Sequence, residues 1–319
     1  VALTFKTIGQ VVPTYDAQTG KLTSTTTTGF DVNAVKIDNS LAGNGSADAF
    51  SNGKLTTSLA TGYSTSTELQ YYVKFDGAAG WLELDTFSMG VDAETSWTKG
   101  TGASVGKPMP SAVELGLGLN GHLLKLFENL ATGKAISNIK IEAYARTGVK
   151  NDLTLVDEYK FNDAFITELN SANASDNALT FVYKSYTHGH VDVDQNGKTQ
   201  NFSGVGFDVT KGELVKAPTP TSDDPRLDLL TSVPQGADLD YYIRFTDSEF
   251  KDNNKWLRFD GFSLAFDAET STAKGTGVSV GKMNLSDLQA ALGSSNTTLD
   301  LSKLIYQGTK TEGRADRRA

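Results

Sequence analysis

The sequence predicts a mainly β protein of antiparallel sheet, with one short helix per unit and a unit that recurs after about 175 residues. Three observations predict it. Long strings return in the same order, most apolar stretches are strand-like, and one stretch has helical spacing.

The repeat is the strongest of the three. FSMGVDAETSWTKGTGASVGK, Phe87–Lys107, is answered by FSLAFDAETSTAKGTGVSVGK, Phe262–Lys282, at an offset of 175. YYVKFDG at Tyr71–Gly77 is answered by YYIRFTD at Tyr241–Asp247, at an offset of 170, and five extra residues within SEFKDNNK make up the difference. The run ALTF, DAQTGK, GFDV from Ala2 to Val32 is answered by ALTF, DVDQNGK, GFDV from Ala178 to Val209, at offsets of 176 to 177. One period accounts for all the matches. The expected layout is closing strands of a unit at 1–40, a Ser/Thr/Gly-rich linker at 41–67 and a complete unit at 68–215. A Pro/Ser/Asp-rich linker follows at 216–237, then the opening part of a second unit at 238–319, completed by 1–40 or by a neighbouring chain.

The strands come next. YYVKF, WLELDTFSMGV, ISNIKIEAYA, LVDEYKFNDAFI and ALTFVYKSYTHGHVDV are rich in aromatic and β-branched residues and are bounded by Gly or turn residues. In NIKIEAYA, Ile139, Ile141 and Ala143 alternate with Lys and Glu, which predicts a sheet with one wet face. DAQTGK and DVDQNGK are turn signals, so each GFDV reads as the return arm of a hairpin. In NGHLLKLFENLATGK, Leu123, Leu126, Phe127 and Leu130 share one helical face, with Asn120 as cap and Gly133 as terminator. TTLDLSKLIYQGTK stands at the equivalent place in the second unit. The leucine stripe reads as the plug at the end of a barrel or sandwich.

Composition narrows the classes of function. The net charge is −9, which repels phosphate backbones and argues against nucleic acid as a partner. No apolar run reaches the roughly 18 residues a spanning helix needs. There is no cysteine, so disulfides and thiolate chemistry are excluded, and an acidic chain rich in Thr, Ser, Asn and Gly suits the outside of a bacterium. Residue 1 is not Met and no signal peptide precedes it, which suggests processing or a piece of a longer repeat protein.

The order of these motifs resembles the type VI secretion tube protein family, Hcp. YYVKFDG and WLELDTFSMGV resemble its opening two strands, and TKGTGASVGK its following extended loop. KMNLSDLQAAL resembles the strand after that loop, and NGHLLKLFENLATGKAISNIKIEAYA the helix and the strand leaving it. FVYKSYTHGHVDVDQNGK with GVGFDV resembles the closing strand pair; its end signature falls on Gly206–Val209 and again on Gly29–Val32. The resemblance covers 68–213 as a complete domain, 1–37 as the tail of one and 238–310 as the head of one. It implies Hcp-like β-barrel units with a side helix, six of which close into a ring with a wide channel, and rings that stack into a tube. Such proteins are structural, carry secreted effectors and have no chemistry of their own. This chain departs from the pattern by its tandem, offset units and its long linkers. The strands equivalent to Asn138–Asn177 have no counterpart in the second unit.

No catalytic, cofactor-binding or metal residue is singled out, and no cofactor is expected. GTGASVGKP, Gly100–Pro108, fails the phosphate-loop count at Thr101 and Pro108. DVDQNGK matches the first half of a calcium loop at Asp192, Asp194 and Asn196, but Ser203 stands where a bidentate Glu is needed. A calcium site at Asp192–Asn196 and a plain Asn-Gly turn are both open readings. His188 and His190 share one strand face without an identifiable third ligand, and His122 stands alone at the helix start. Asp76, Glu83 and Asp85 read as a solvated strand face. Trp81 and Trp256 are equivalent and read as core or interface anchors, whereas Trp97, replaced by Thr272 in the other copy, is the candidate for a partner contact.

The function expected is therefore that of a non-enzymatic structural protein. It self-assembles into a ring, tube or fibre, secreted or at the cell surface. Strand exchange through Ala2–Phe5 is the expected route, because an unpaired strand edge takes up other strands. A carrier or binding module for a secreted effector or partner protein is one alternative; a β-scaffold carbohydrate-binding or hydrolytic protein is another.

Overall fold

The computed structural model describes residues 7–16, 18–19, 22–31, 36–37, 50–51, 54–55, 68–98, 102–118, 120–147, 152–171, 177–194, 198–230, 239–245, 255–273, 277–285, 288–293 and 299–303. They fall into two compact units: 1–67 with 91–111, and 68–90 with 112–319.

The first unit holds short antiparallel sheets. β1 (Thr7–Tyr15) and β2 (Leu22–Asp31) form the hairpin expected around DAQTGK, with Ile8 opposite Phe30, and β3 (Lys36–Ile37) joins β2. β4 (Phe50–Ser51) pairs with β5 (Lys54–Leu55). Ala2–Phe5 lie outside the described residues.

The second unit contains β6 (Leu69–Phe75) and β7 (Leu82–Ser88), which pair antiparallel. β8 (Val91–Thr98) and β9 (Gly102–Pro110) form a hairpin in the first unit, and the chain returns with β10 (Val113–Leu117). Helix α1 (His122–Thr132) leads to β11 (Ile136–Thr147) and the 20-residue β12 (Asp152–Ser171). Next come β13 (Asn177–Val182), β14 (Ser185–Val193), β15 (Thr199–Asp208) and β16 (Glu213–Val215). The pairings run β11–β6, β6–β7, β7–β10, β10–β13, β13–β12 and back from β12 to β11, a closed circuit of six strands.

The core lies inside this circuit. Val73, Phe75, Leu82, Val113, Leu115, Leu117, Ile139, Ile141, Phe161, Leu179 and Phe181 are all essentially inaccessible to solvent. They sit at alternate positions because a strand turns every second side chain to the same face. α1 adds Leu123, Leu126 and Leu130 to the same core, as its 3.6-residue spacing requires. Gly133 ends the helix in the left-handed conformation (φ 64°), which glycine adopts without a Cβ penalty. Asn120 stands one position before the residue flanking the helix, and its Oδ1 accepts the His122 N–H at 3.0 Å.

The run ALTFVYKSYTHGHVDV is two strands rather than one. β13 and β14 lie end to end along β12 and separate at Tyr183 and Lys184, where β12 also bends at Asp163 (φ 48°). Lys184 N–H donates to the Asn162 carbonyl at this corner, and the Lys184 ammonium reaches Asp163 at 3.4 Å.

The wet face expected for NIKIEAYA is also absent. Every residue from Ile139 to Ala145 is buried, Lys140, Glu142 and Tyr144 included. The cover is the segment 216–230, whose composition alone reads as linker. It crosses the outer face of the sheet as a strap. Ala217 packs over Gly204 of β15, Pro220 over Gly189 of β14, and Thr221 N–H donates to Glu158 of β12. Thr221 and Asp223 reach Lys140 of β11, and the strap ends against Trp81. There Trp81 N–H donates to the Asp228 carbonyl at 2.9 Å and Leu230 N–H donates to the Trp81 carbonyl at 2.7 Å.

Gly80 permits that contact, since a Cβ there would overlap the Asp228 carbonyl. Gly80→Val is expected to lift the strap while the circuit of strands stays folded. A loss of about 1.4 kcal/mol raises the open population about tenfold. Trypsin cleavage after Lys216 and Arg226 should accelerate by that factor; an unchanged rate would show that the strap is held elsewhere.

The remaining strands copy β6–β10. β17 (Tyr241–Arg244) pairs with the first part of β18 (Trp256–Ala273); β19 (Gly277–Leu285) and β20 (Gln289–Leu292) pair along it. The register is reproduced residue for residue. Tyr71 faces Leu84, and Tyr241 faces Phe259. Ser96 faces Ser104, and Ser271 faces Ser279; Leu115 faces Phe87, and Ala290 faces Phe262. Even the irregularity at Ala93/Thr95 returns at Ala268/Thr270. The copy joins the complete unit edge to edge: Glu168–Ser171 of β12 pairs with Leu264–Asp267 of β18. Residues 299–303 are helical, at the place of α1.

Candidate assembly surfaces

Four surfaces of the chain carry the polar and exposed groups that function would use. The first lies under the strap. Lys140 Nζ sits 2.6 Å from Glu142 Oε1, 3.1 Å from Glu158 Oε2 and 2.9 Å from Asp223 Oδ2, and it donates to the Thr221 carbonyl at 2.8 Å. Lys160 approaches the other Glu158 oxygen at 2.8 Å. Tyr144 donates its hydroxyl proton to Glu142 at 2.6 Å, so the Ser222 hydroxyl donates to the Tyr144 oxygen at 2.7 Å. Burial opposes the Lys140 charge, but the Glu142 and Asp223 carboxylates outweigh it and hold the ammonium well above the usual lysine range. Burial, then the Glu142 carboxylate, pushes the Tyr144 phenol up. Trp81 and Tyr72 pack beside Tyr144 as a second small core. The arrangement is a buried ionic network that anchors a crossing segment, in which Glu142 Oε1 has the Lys140 charge beside it but no hydrogen bond. None of its members was identified by sequence reasoning, because buried Lys and Glu have the same local pattern as exposed ones.

The second surface holds His188 and His190. Their shared strand face is as the spacing predicts, and β12 places Asp157 between them. His188 Nε2 lies 2.7 Å and His190 Nδ1 3.0 Å from the same Asp157 oxygen, and His188 stacks on Tyr159 at 4.2 Å. Asp157 is the partner that one-dimensional spacing could not reveal. Among the described residues no group of three His, Cys, Asp or Glu is arranged to hold a metal ion. His122 is instead a packing residue: it stacks on Phe75 at 5.4 Å, and burial, then Lys125, lowers its pKa.

The third set is the turns. Asp194 accepts the Lys198 N–H and the Gln200 amide at 2.9 Å each, so both of its oxygens close the turn. Asp16 closes the turn of the other copy through Oδ1 alone, accepting the Gln18 and Thr19 N–H groups. Residues 195–197 lie outside the described residues. Gly102–Pro108 belongs to strand β9 and opens no helix, which a phosphate loop requires.

The GFDV signature has a physical basis. Gly206 lies where a Cβ would meet Val215, Thr187 and the Tyr186 carbonyl, and Phe207 enters the core side of the hairpin. Asp208 accepts from the Thr210 hydroxyl at 2.6 Å and from the Thr210 and Lys211 N–H groups at 3.0 Å. The Thr210 hydrogen bond, with help from Lys211, draws the Asp208 carboxyl down to about 2. Its folded pKa is below the unfolded value of about 3.9. The stabilisation is therefore complete above about pH 5 and drains away as pH falls toward 2. Asp208→Asn should flatten the pH dependence of stability across that window; an unaltered urea midpoint profile from pH 2 to 6 would contradict it.

The fourth surface is the face of the partial copy, β17–β20. Trp81 is 1% exposed, yet its counterpart Trp256 is 62% exposed beneath Arg244, whose guanidinium lies 4.9 Å from the ring. Tyr242 and Leu288 are likewise exposed, while the counterparts Tyr72 and Val113 are buried. Asp76, Glu83 and Asp85 are solvated, as expected. The Trp97 side chain lies outside the described residues.

Residues 72–190 match the family profile described as type VI secretion system effector, Hcp. No curated protein matches the sequence. Among solved structures, one described as a type six secretion system protein is 24% identical, covering 46% of this chain and all of that one, with a TM-score of 0.42. Hcp1 from Salmonella typhimurium is 17% identical over 44% of this chain and 94% of its own, at a TM-score of 0.34. A type VI secretion system effector from Yersinia pestis is 16% identical over 43% and 98%, at 0.32. Residues 72–190, within the complete unit, are therefore similar to the Hcp family of type VI secretion proteins, and residues 239–293 reproduce the strand register of its first half.

Proposed function

We propose that this chain is a non-enzymatic structural protein that assembles with copies of itself into a ring, tube or fibre, outside the cell or on its surface. The closed circuit of six strands is read as a β-barrel, the form such a building block takes. The observation that carries the reading is the partial copy, β17–β20. It reproduces the pairings of β6–β10 but leaves Trp256 and Leu288 in solvent where Trp81 and Val113 are buried. Exposed aromatic and apolar groups on an otherwise acidic chain mark a surface that another protein covers. Two units per chain fit a six-position ring made by three chains.

Sedimentation velocity with negative-stain imaging of the full chain tests this. Rings or filaments whose mass is a multiple of the chain are expected. A monomer at all concentrations would overturn the reading, and a monomer that retains a soluble secreted protein would favour a carrier instead.

A further inference from the structure

In the complete unit, β10 has a strand on each edge, β7 on one and β13 on the other. β20 is its counterpart and pairs with β18 in the matching register, but among the described residues no strand lies on its other edge. The inner face agrees with this. Leu115 and Leu117 of β10 are fully buried, whereas Ala290 and Leu292 are half-buried and Leu288 is 54% exposed. A shallow cleft of ≈ 400 Å³ lies there, lined by Gly261, Phe262, Ser263, Gln289, Ala290 and Ala291. The local packing has been exchanged rather than lost: the facing pair Thr86 and Gly116 of the complete unit stands as Gly261 and Ala291 in the copy.

In the complete unit the missing strand is Ala178–Phe181 of β13, an ALTF, and the sequence holds one other ALTF, Ala2–Phe5. Resting on the self-assembly reading, we propose that Ala2–Phe5 of a second copy of this chain docks antiparallel on the open edge of β20. The β10–β13 register places Ala2 opposite Ala291, Leu3 opposite Ala290, Thr4 opposite Gln289 and Phe5 opposite Leu288. Leu3 and Phe5 then point inward, as Leu179 and Phe181 do, and cover the inner face that β20 leaves half-exposed. A second copy is the donor on the self-assembly reading, in which the open edge of each chain is covered by another chain. Each chain gives one strand and receives one, a head-to-tail joint that closes into a ring or runs on as a filament.

The absence of cysteine makes the test clean. Thr4 and Gln289 take the places of Thr180 and Glu114, which face each other on the outer side of the sheet. Full-length Thr4→Cys and Gln289→Cys chains are mixed in equal amounts and oxidised. A disulfide-linked heterodimer is expected, at least tenfold above a mixture of Thr4→Cys with Gln200→Cys, and the double variant should give a ladder of oligomers. No excess of heterodimer overturns the joint; if rings still form, the assembly reading survives without it. A double variant that closes only within single chains also overturns it. Heterodimer without rings or filaments supports the joint and removes the ring reading instead.

Discussion

Lys140→Ala should cost about 3–5 kcal/mol of unfolding free energy, because it strands buried carboxylates rather than deleting a surface charge. Glu142 is fully inaccessible to solvent and Lys140 is its cationic partner; Glu158 keeps Lys160. The loss also frees Thr221 and Asp223, so the strap should loosen with the core. Urea unfolding measures the first effect and trypsin cleavage after Arg226 the second. Adding Glu142→Gln should restore more than about 1 kcal/mol, since it removes the stranded charge. A single variant within about 0.5 kcal/mol of the parent would mean that the network is solvated and that the strap rests on its Trp81 and glycine contacts alone.

Phe161→Ala is expected to be as damaging, about 3–5 kcal/mol, through cavity formation. Phe161 is completely buried on β12, where it meets Phe181 at 5.2 Å, Tyr183 at 4.9 Å and Tyr186 at 6.4 Å between ring centres. Those rings come from β13, β14 and the corner between them, so the ring holds three segments together. Phe161→Leu keeps most of the volume and should cost about 1.5 kcal/mol or less. Thermal unfolding of the two variants separates the effects. Equal losses would show that the site collapses around either side chain.

Sequence and structure divide the explanation at identifiable residues. The period was legible because repeats preserve order, and it extended to pairing: residues aligned by the repeat, at offsets of 170 and 175, occupy the same register in β6–β10 and β17–β20. The helix was legible because Leu123, Leu126 and Leu130 obey one spacing. The burial of Lys140, Glu142 and Tyr144 was not, because alternation reports only that two faces differ. It cannot say that a segment 81 residues later in the chain will cover the polar one. The break at Tyr183 and Lys184 was hidden for a related reason. Strand-forming residues run through it, and only the bend of β12 at Asp163 divides them.

By itself, then, the sequence determined the unit, its period, its alternating core positions and its helix, since each follows from local spacing along the chain. Only the tertiary structure decided which faces are dry, which carboxylate joins His188 to His190, and which edge of the partial copy is left without a strand among the described residues. Those depend on segments distant in sequence meeting in space, where the free energy of burying a charge or leaving an edge open is set by whatever covers it.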